Sequence, residues 1–257
     1  MFLKAGRACA QDQPPQPSYD SQAEDTLFRL LNQARQENGL PALALDERLA
    51  NAARAHSALM ARNLQLRHQA DGEPTLTERL ASTNLRFDRV AENVAFSETA
   101  ENAHDGLMHS PGHRANILSA QSNAVGVGVV RRGSTLWVTQ DFAHRLPVLT
   151  DEQAEDLAAD SFRQLRKSPL AVRVNLPRLR SLACAMSKTG ELDTTKALGL
   201  PDIRYTVAFT TAEPAELPEG ARKLRAQQDI SRFAVGACFA ASPEYPSGMY
   251  WMLMAFY

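Results

Sequence analysis

The side chains best suited to chemistry are concentrated in the first part of this chain. All six histidines lie between residues 56 and 144, and none follows residue 144. Four polar strings stand where predicted helices and strands begin or end, and they bring imidazole, carboxylate and amide groups together. These groups act as metal ligands and as acids or bases in protein sites. The strings are NLQLRH at 63–68, AENVA at 91–95, SPGHRANIL at 110–118 and WVTQDF at 137–142.

Several common catalytic motifs are absent from the sequence. There is no HExxH, no G-x-S-x-G, no Walker A loop and no GxGxxG after a predicted strand. Gly126 and Gly128 lie inside a predicted strand, where glycine favours close packing over phosphate binding. Ordinary zinc proteases, serine hydrolases and nucleotide-binding enzymes are therefore disfavoured.

Composition excludes further classes of protein. The chain has 257 residues, 44% of them hydrophobic, and a formal net charge of −1, which predicts a globular protein with one large or two small domains. No basic surface is expected, so nucleic acid is not a predicted partner. No apolar run approaches the roughly 20 residues of a membrane span. The three cysteines show no CxxC pair, which excludes a zinc ribbon.

Hydrophobic periodicity predicts helices first and a hairpin last. A capping box at Ser21–Glu24 opens the first helix, and Asp46 caps a second helix that carries His56 on its apolar face. A third helix begins near Thr99 and ends at Pro111-Gly112. Two strands then form a hairpin over residues 124–142. This order predicts an α+β fold with an antiparallel sheet.

Five motifs in order give the chain a family resemblance. It resembles the bacterial branch of the CAP superfamily, the cysteine-rich secretory, antigen 5 and pathogenesis-related proteins with an SCP domain, over residues 21–143. The resemblance implies a three-layer α-β-α sandwich with a groove lined by two histidines and acidic residues. The motifs are Asn38-Gly39-Leu40, ARAHSALMA at 53–61, AENVA at 91–95, SPGHRANIL at 110–118 and WVTQDF at 137–142.

By position in these motifs, His68 and His113 are the paired histidines and Glu92 is the groove acid. Asn93 and Ser110 are expected to line the same groove. Two neutral imidazoles and a carboxylate suit Zn²⁺ or another divalent metal. In the alternative interpretation, His68 caps a helix and Glu92 organises a loop through backbone N–H groups.

Three departures from the family pattern affect the groove. Ser110 falls near the position of a second glutamate in eukaryotic members, so a four-residue site is not assured. Ala91 replaces the usual glycine before the acid, and Leu107 replaces a tryptophan. His56 is expected to be a buried structural histidine, whereas His104 and His109 are expected to face solvent.

The second half repeats the order of the first with altered chemistry. QAED recurs at 22–25 and 153–156, and AVG recurs at 124–126 and 234–236, while the second half has no histidine. We expect a signal remnant or linker over residues 1–20, a CAP-like domain over 21–146 and a smaller α+β segment over 150–257. That segment is either a degenerate CAP-like repeat or an unrelated accessory domain. Cys184 and Cys238 are expected as buried free thiols, or as a disulfide if the protein is secreted.

Three function classes remain, and the sequence does not decide whether the protein is an enzyme. The first is a secreted or periplasmic binding module whose groove takes a small apolar ligand, a peptide or an envelope component. The second is a metal-dependent hydrolase using His68, His113 and a water activated by Glu92. The third is a structural or adhesion protein of the cell envelope.

Overall fold

A computed structural model describes residues 16–166 and 172–257, which form two compact units. The first unit contains the described residues up to Leu76 together with Ala91–Phe142. The second contains Thr77–Val90 and the described residues from Ala143 to Tyr257. The expectation for the first 15 residues lies outside the described residues.

The first unit is built around a mixed sheet with the strand order β1-β4-β5-β3, and β2 pairs with β4. The ends of β3 and β5 nearest residues 87 and 145 belong to the second unit. The elements over this part of the chain are β1 (Ser18–Tyr19), α1 (Ser21–Glu37), β2 (Ala44–Leu45), α2 (Glu47–Asn63), α3 (Leu76–Ala81), β3 (Phe87–Ser97), α4 (Ala100–His109), α5 (Pro111–Ile117), β4 (Ala124–Arg132) and β5 (Thr135–Arg145).

Helix starts follow the predicted caps at two of three positions. Asp46 and Thr99 cap α2 and α4, and their side chains accept bonds from Arg48 N and Asn102 N. The predicted capping box at Ser21 is wrong: Asp20 is the N-cap, and its carboxylate accepts from Ala23 N at 3.0 Å. Glu24 is instead buried and bonded elsewhere, so it does not reach back to the cap.

Successive residues of β4 point to opposite faces of the sheet, and helices pack on both faces. Val125, Val127 and Val129 pack into one apolar cluster with the inner faces of α1 and α4. Gly126 and Gly128 point to the opposite face, where a Cβ atom would lie 2.1 and 2.2 Å from the backbone of α2. Glycine thus allows α2 to lie directly on the sheet. The expected α-β-α sandwich is confirmed for this unit.

The second unit has the same layering. Its sheet has the order β6-β8-β9-β7, with α6 packed on one face and α7 on the other. The last strand consists of apolar residues and is buried on both faces. The elements are α6 (Asp151–Leu165), β6 (Val172–Arg173), α7 (Pro177–Thr189), α8 (Thr195–Leu198), β7 (Tyr205–Thr211), α9 (Glu219–Lys223), a 3₁₀ turn (Leu224–Ala226), β8 (Arg232–Ala240) and β9 (Met249–Phe256).

Both units contain the same buried glutamate arrangement. In the first unit, Glu24 accepts from Val129 N at 3.1 Å and from the guanidinium of Arg54 at 2.7–3.1 Å. This arrangement joins the first helix, the second helix and the glycine strand.

In the second unit, Glu155 accepts from Ala237 N at 3.1 Å and from Arg180 at 2.7 Å. A Cβ on Gly236 would lie 2.3 Å from the α7 backbone, as one on Gly128 would from α2. Gly236 therefore corresponds to Gly128, two residues away from the alignment that the repeated AVG strings suggest.

The second unit contains a disulfide bond. Cys184 on α7 and Cys238 on β8 form it, so of the two alternatives the one expected for a secreted protein is found and free thiols are not. Their Cα atoms lie 5.0 Å apart, within the usual range for such a bond. Within the described ranges, every helix is too short or too polar to cross a membrane.

Candidate functional site: a histidine and carboxylate groove

The groove of the first unit begins with an imidazole held by a buried carboxylate. His68 follows α2, and its Nδ1 lies 2.9 Å from Oε1 of Glu92 on β3. The Glu92 side chain is only 3% exposed, whereas that of His68 is 60% exposed. The carboxylate therefore orients the ring of His68, most of which is exposed.

A second histidine and glutamate extend this pair into the core. His56 is fully buried, with Nδ1 2.7 Å from Oε1 of Glu73 and Nε2 2.9 Å from the carbonyl oxygen of Arg67. The Nε2 atom also lies 3.9 Å from Oε2 of Glu92. The burial expected for His56 is confirmed, but sequence reasoning missed Glu73. Its only signal was a carboxylate in a polar loop that follows the helix bearing His56.

The other predicted histidine faces His68 across the groove. His113 lies in the first turn of α5, which begins at Pro111, and its ring centroid is 6.4 Å from that of His68. Partial burial lowers the pKa of His113 below its ordinary value, and the neighbouring His68 lowers it further. The neutral imidazole is thus favoured, and that is the form that ligates a metal or accepts a proton.

An amide network beneath the groove fixes the segments that carry these groups. Asn93 is fully buried and donates from Nδ2 to the carbonyl oxygen of His113 at 3.1 Å and to Oε1 of Gln140 at 3.2 Å. Its Oδ1 accepts from Asn116 at 2.9 Å. Asn93 therefore lies under the groove and braces the start of α5 against β3 and β5.

A cavity of about 270 Å³ continues from His113 between β3 and α4. Ser110 and Leu107 both line it. Phe96 lines it with a side chain that is 59% exposed, and its ring lies 5.8 Å from that of Trp137. The full lining is Leu66, Val94, Ala95, Phe96, Asn102, Ala103, Gly106, Leu107, Ser110 and His113.

Two other histidines of the same unit lie outside this groove. His109 is exposed, as expected, and its Nδ1 bonds the carbonyl oxygen of Asp105. The expectation that His104 faces solvent is wrong, since its Nδ1 is buried and has no partner among the described residues. Burial lowers the pKa of His104 accordingly.

Chemically, the groove offers two imidazoles and one buried carboxylate beside an apolar cavity. His68 and His113 could hold a divalent metal, with Glu92 fixing the orientation of His68. Over the described ranges, however, the side chains that place three ligand atoms within 4.8 Å of one another lie outside this groove.

Comparison with known proteins finds similarity over the same part of the chain. Residues 28–142 match the profile of the CAP family, described as the cysteine-rich secretory protein family. The chain is 34% identical over 125 residues to the uncharacterized protein YkwD of Bacillus subtilis (strain 168), covering 48% of each chain. It is 31% identical over 124 residues to the uncharacterized membrane protein YlbC of the same strain, covering 48% of this chain and 35% of YlbC. It therefore spans at most about half the length of these relatives.

One solved structure is also similar to part of this chain. An extracellular protein containing an SCP domain from Bacillus anthracis str. Ames shares 32% identity with this chain, with a TM-score of 0.46. The likeness covers 48% of this chain and 41% of that one.

Proposed function

Because residues 28–142 match the profile of the CAP family, the cysteine-rich secretory protein family, we propose that this chain is an extracytoplasmic, non-catalytic binding module. Its groove takes a small apolar ligand or an apolar peptide side chain, with His68 and His113 at the polar end. The cavity lined by Phe96, Leu107 and their neighbours carries this proposal. A half-exposed aromatic ring beside a preformed apolar hollow is typical of a binding surface.

The size of the cavity limits the ligand. Drug-sized ligands occupy pockets of about 300–1,000 Å³, so about 270 Å³ accommodates a short acyl segment or one or two side chains. The neutral His113 at its end can exchange a hydrogen bond with a carboxyl or amide group. A medium-chain carboxylic acid therefore represents the proposed ligand class, and octanoate is a suitable probe.

The test uses the tryptophan next to the groove. The chain has two tryptophans, so Trp251→Phe leaves Trp137 as the single one. The indole N–H of Trp251 has no hydrogen-bond partner among the described residues, so this substitution removes no hydrogen bond there. Trp137 contacts Phe96, so octanoate bound in the cavity should change its fluorescence saturably. We expect Gly106→Leu to fill the cavity and weaken binding about tenfold or more.

Gly112→Leu is the matched control. A Cβ at Gly106 or Gly112 meets no atom within 4 Å, but only Gly106 lines the cavity. Equal octanoate affinity in the two leucine variants would contradict the proposal.

A metal-dependent hydrolase is the second candidate function. It is favoured by the bond from Glu92 to Nδ1 of His68, because histidines that ligate zinc commonly have their other ring nitrogen held by a carboxylate. In this scheme His68 and His113 hold Zn²⁺ and Glu92 assists a water molecule. Calorimetric Zn²⁺ titration should show one equivalent more for the wild-type chain than for His68→Ala/His113→Ala, and equal stoichiometry in the two proteins would contradict this candidate.

Location outside the cytoplasm is supported by the Cys184–Cys238 disulfide. Disulfides persist in oxidising compartments and are rare in the cytosol. The repeated glutamate, arginine and glycine arrangement supports interpreting the second unit as a degenerate CAP-like repeat. That unit would have kept the packing residues and lost the imidazoles. If substitution of His68, Glu92 and His113 changes neither ligand binding nor phenotype, that result favours a structural or adhesion role.

A further inference from the structure

The second unit contains a separate cluster of metal-ligating side chains. Asp88, His144 and Glu213 each offer one ligand atom, and these atoms all lie within 4.8 Å of one another. His144 Nδ1 lies 2.7 Å from Oδ1 of Asp88. The side chains of Asp88 and His144 are 17% and 28% exposed, so the cluster is shielded but open to an ion from solvent.

Three different strands position this cluster. Asp88 lies near the start of β3 and His144 near the end of β5, and the two strands are neighbours in the sheet. Glu213 follows β7 directly, and its backbone is fixed by Thr211, which accepts from Glu213 N at 3.0 Å and donates to its carbonyl oxygen at 2.9 Å. Ligands fixed in this way need little rearrangement to hold an ion.

A buried arginine balances the charge of the two carboxylates. Arg86 attracts both Asp88 and Glu213, which offsets their mutual repulsion in the absence of an ion. Its own guanidinium donates to the carbonyl oxygens of Pro147 and Ala212 and lies 4.4 Å from the centre of the Tyr250 ring. The hydrogen bonds of Arg86 are therefore made to carbonyl groups, away from the carboxylate oxygens.

Arg89 is a second cation beside Asp88. Its Nη2 lies 3.8 Å from Oδ2 of Asp88, and its side chain is mostly exposed. An exposed pair at this distance contributes little free energy. An incoming cation can therefore displace Arg89 at small cost.

We propose that Asp88, His144 and Glu213 bind one divalent transition-metal ion, Zn²⁺ in the first instance. One imidazole nitrogen and two carboxylate oxygens suit Zn²⁺ or Mn²⁺, whereas Ca²⁺ prefers oxygen ligands alone. Three protein ligands leave a coordination position for water. This site is independent of the groove, since none of its ligands belongs to the first unit.

The experiment separates this site from the groove histidines. The full chain carrying His68→Ala/His113→Ala is titrated with Zn²⁺ by calorimetry, and we expect one equivalent to bind. Adding Glu213→Gln should weaken that binding about tenfold or more. Glu216→Gln removes an exposed carboxylate three residues away and should leave the affinity unchanged.

A second readout follows the ligand itself. In ¹⁵N-labelled protein, Zn²⁺ should shift the imidazole nitrogen signals of His144 and leave those of the exposed His109 unchanged. Thermal unfolding of each variant without metal checks that its fold is kept. Absence of binding in the His68→Ala/His113→Ala chain, or equal binding by the Glu213→Gln and Glu216→Gln variants, would overturn the proposal. If the wild-type chain binds no more Zn²⁺ than the His68→Ala/His113→Ala chain does, that result contradicts only the hydrolase candidate.

Discussion

Removal of the disulfide is the perturbation whose magnitude follows most directly from the structure. Cys184 and Cys238 are separated by 54 residues. Closing a loop of this length restricts the unfolded chain by an entropy equivalent to about 4 kcal/mol at 25 °C. Cys184→Ala/Cys238→Ala should therefore lower the free energy of unfolding by about 4 kcal/mol. For a unit of this size, that corresponds to a fall in Tm of about 10–20 °C.

The assay combines calorimetry with thiol counting. The chain has three cysteines, so the denatured, unreduced protein should show one reactive thiol and the reduced protein three. Reduced wild-type protein should unfold at nearly the same temperature as the double alanine variant. Three reactive thiols before reduction, or a change in Tm of less than about 3 °C in the double variant, would refute the reasoning.

Three further predictions follow from packing, charge and burial. Gly128→Ala and Gly236→Ala should each lower the free energy of unfolding by several kcal/mol, because the new Cβ would lie 2.2–2.3 Å from the backbone of a helix. A Cβ at Gly106 meets no atom within 4 Å, so Gly106→Ala should raise the free energy of unfolding by about 0.5–1 kcal/mol. Denaturant titrations measure both effects. Glu24→Ala and Glu155→Ala should each lower the free energy of unfolding by about 1–3 kcal/mol, because each leaves a buried backbone N–H without its acceptor. Glu152→Ala, at an exposed position of α6, should change it by no more than about 0.5 kcal/mol. Similar values for all three variants would contradict the shared role. Burial lowers the pKa values of His104 and His113, so the unfolded chain binds more protons than the folded chain just below about pH 6.5. The free energy of unfolding should therefore fall as the pH drops through that value, and His104→Gln/His113→Gln should make this fall smaller. The same pH profile in the variant and the wild type would contradict the prediction.

Local signals in the sequence identify most helices and the hairpin. Asp46 and Thr99 cap helices because short polar side chains can bond the free N–H groups of a first turn. The same rule misassigns the start of α1, where Ser21 and Asp20 are both suitable caps. The carboxylate of Glu24 is then free to bond Arg54 across the fold, a contact that no local rule predicts.

The groove is predictable only in part. The motif strings lead to His68, Glu92 and His113 because each string contains a polar residue at the end of an element. Glu73 is missed because it lies in an irregular loop, and its bond to His56 depends on how that loop folds back over α2. Asn93 belongs to the right string, but burial beneath the groove depends on the pairing of three separate segments.

The cluster of Asp88, His144 and Glu213 shows the same limit more strongly. Its members are separated by 56 and 69 residues and share no motif. Only the order of strands in two sheets brings their side chains together. Because no motif or periodic pattern includes these three positions, the cluster could not be predicted from the sequence.

Photolabelling of the groove tests the central claim most directly. Octanoate carrying a diazirine is irradiated with the full chain, and the labelled peptide is identified by mass spectrometry after trypsin cleavage. Nine of the ten cavity-lining residues fall in one tryptic peptide, Val90–Arg114. We expect the label in that peptide, competed by unlabelled octanoate and lost in Gly106→Leu. Label in other peptides, or label in Val90–Arg114 that Gly106→Leu does not reduce, would contradict the proposed binding groove.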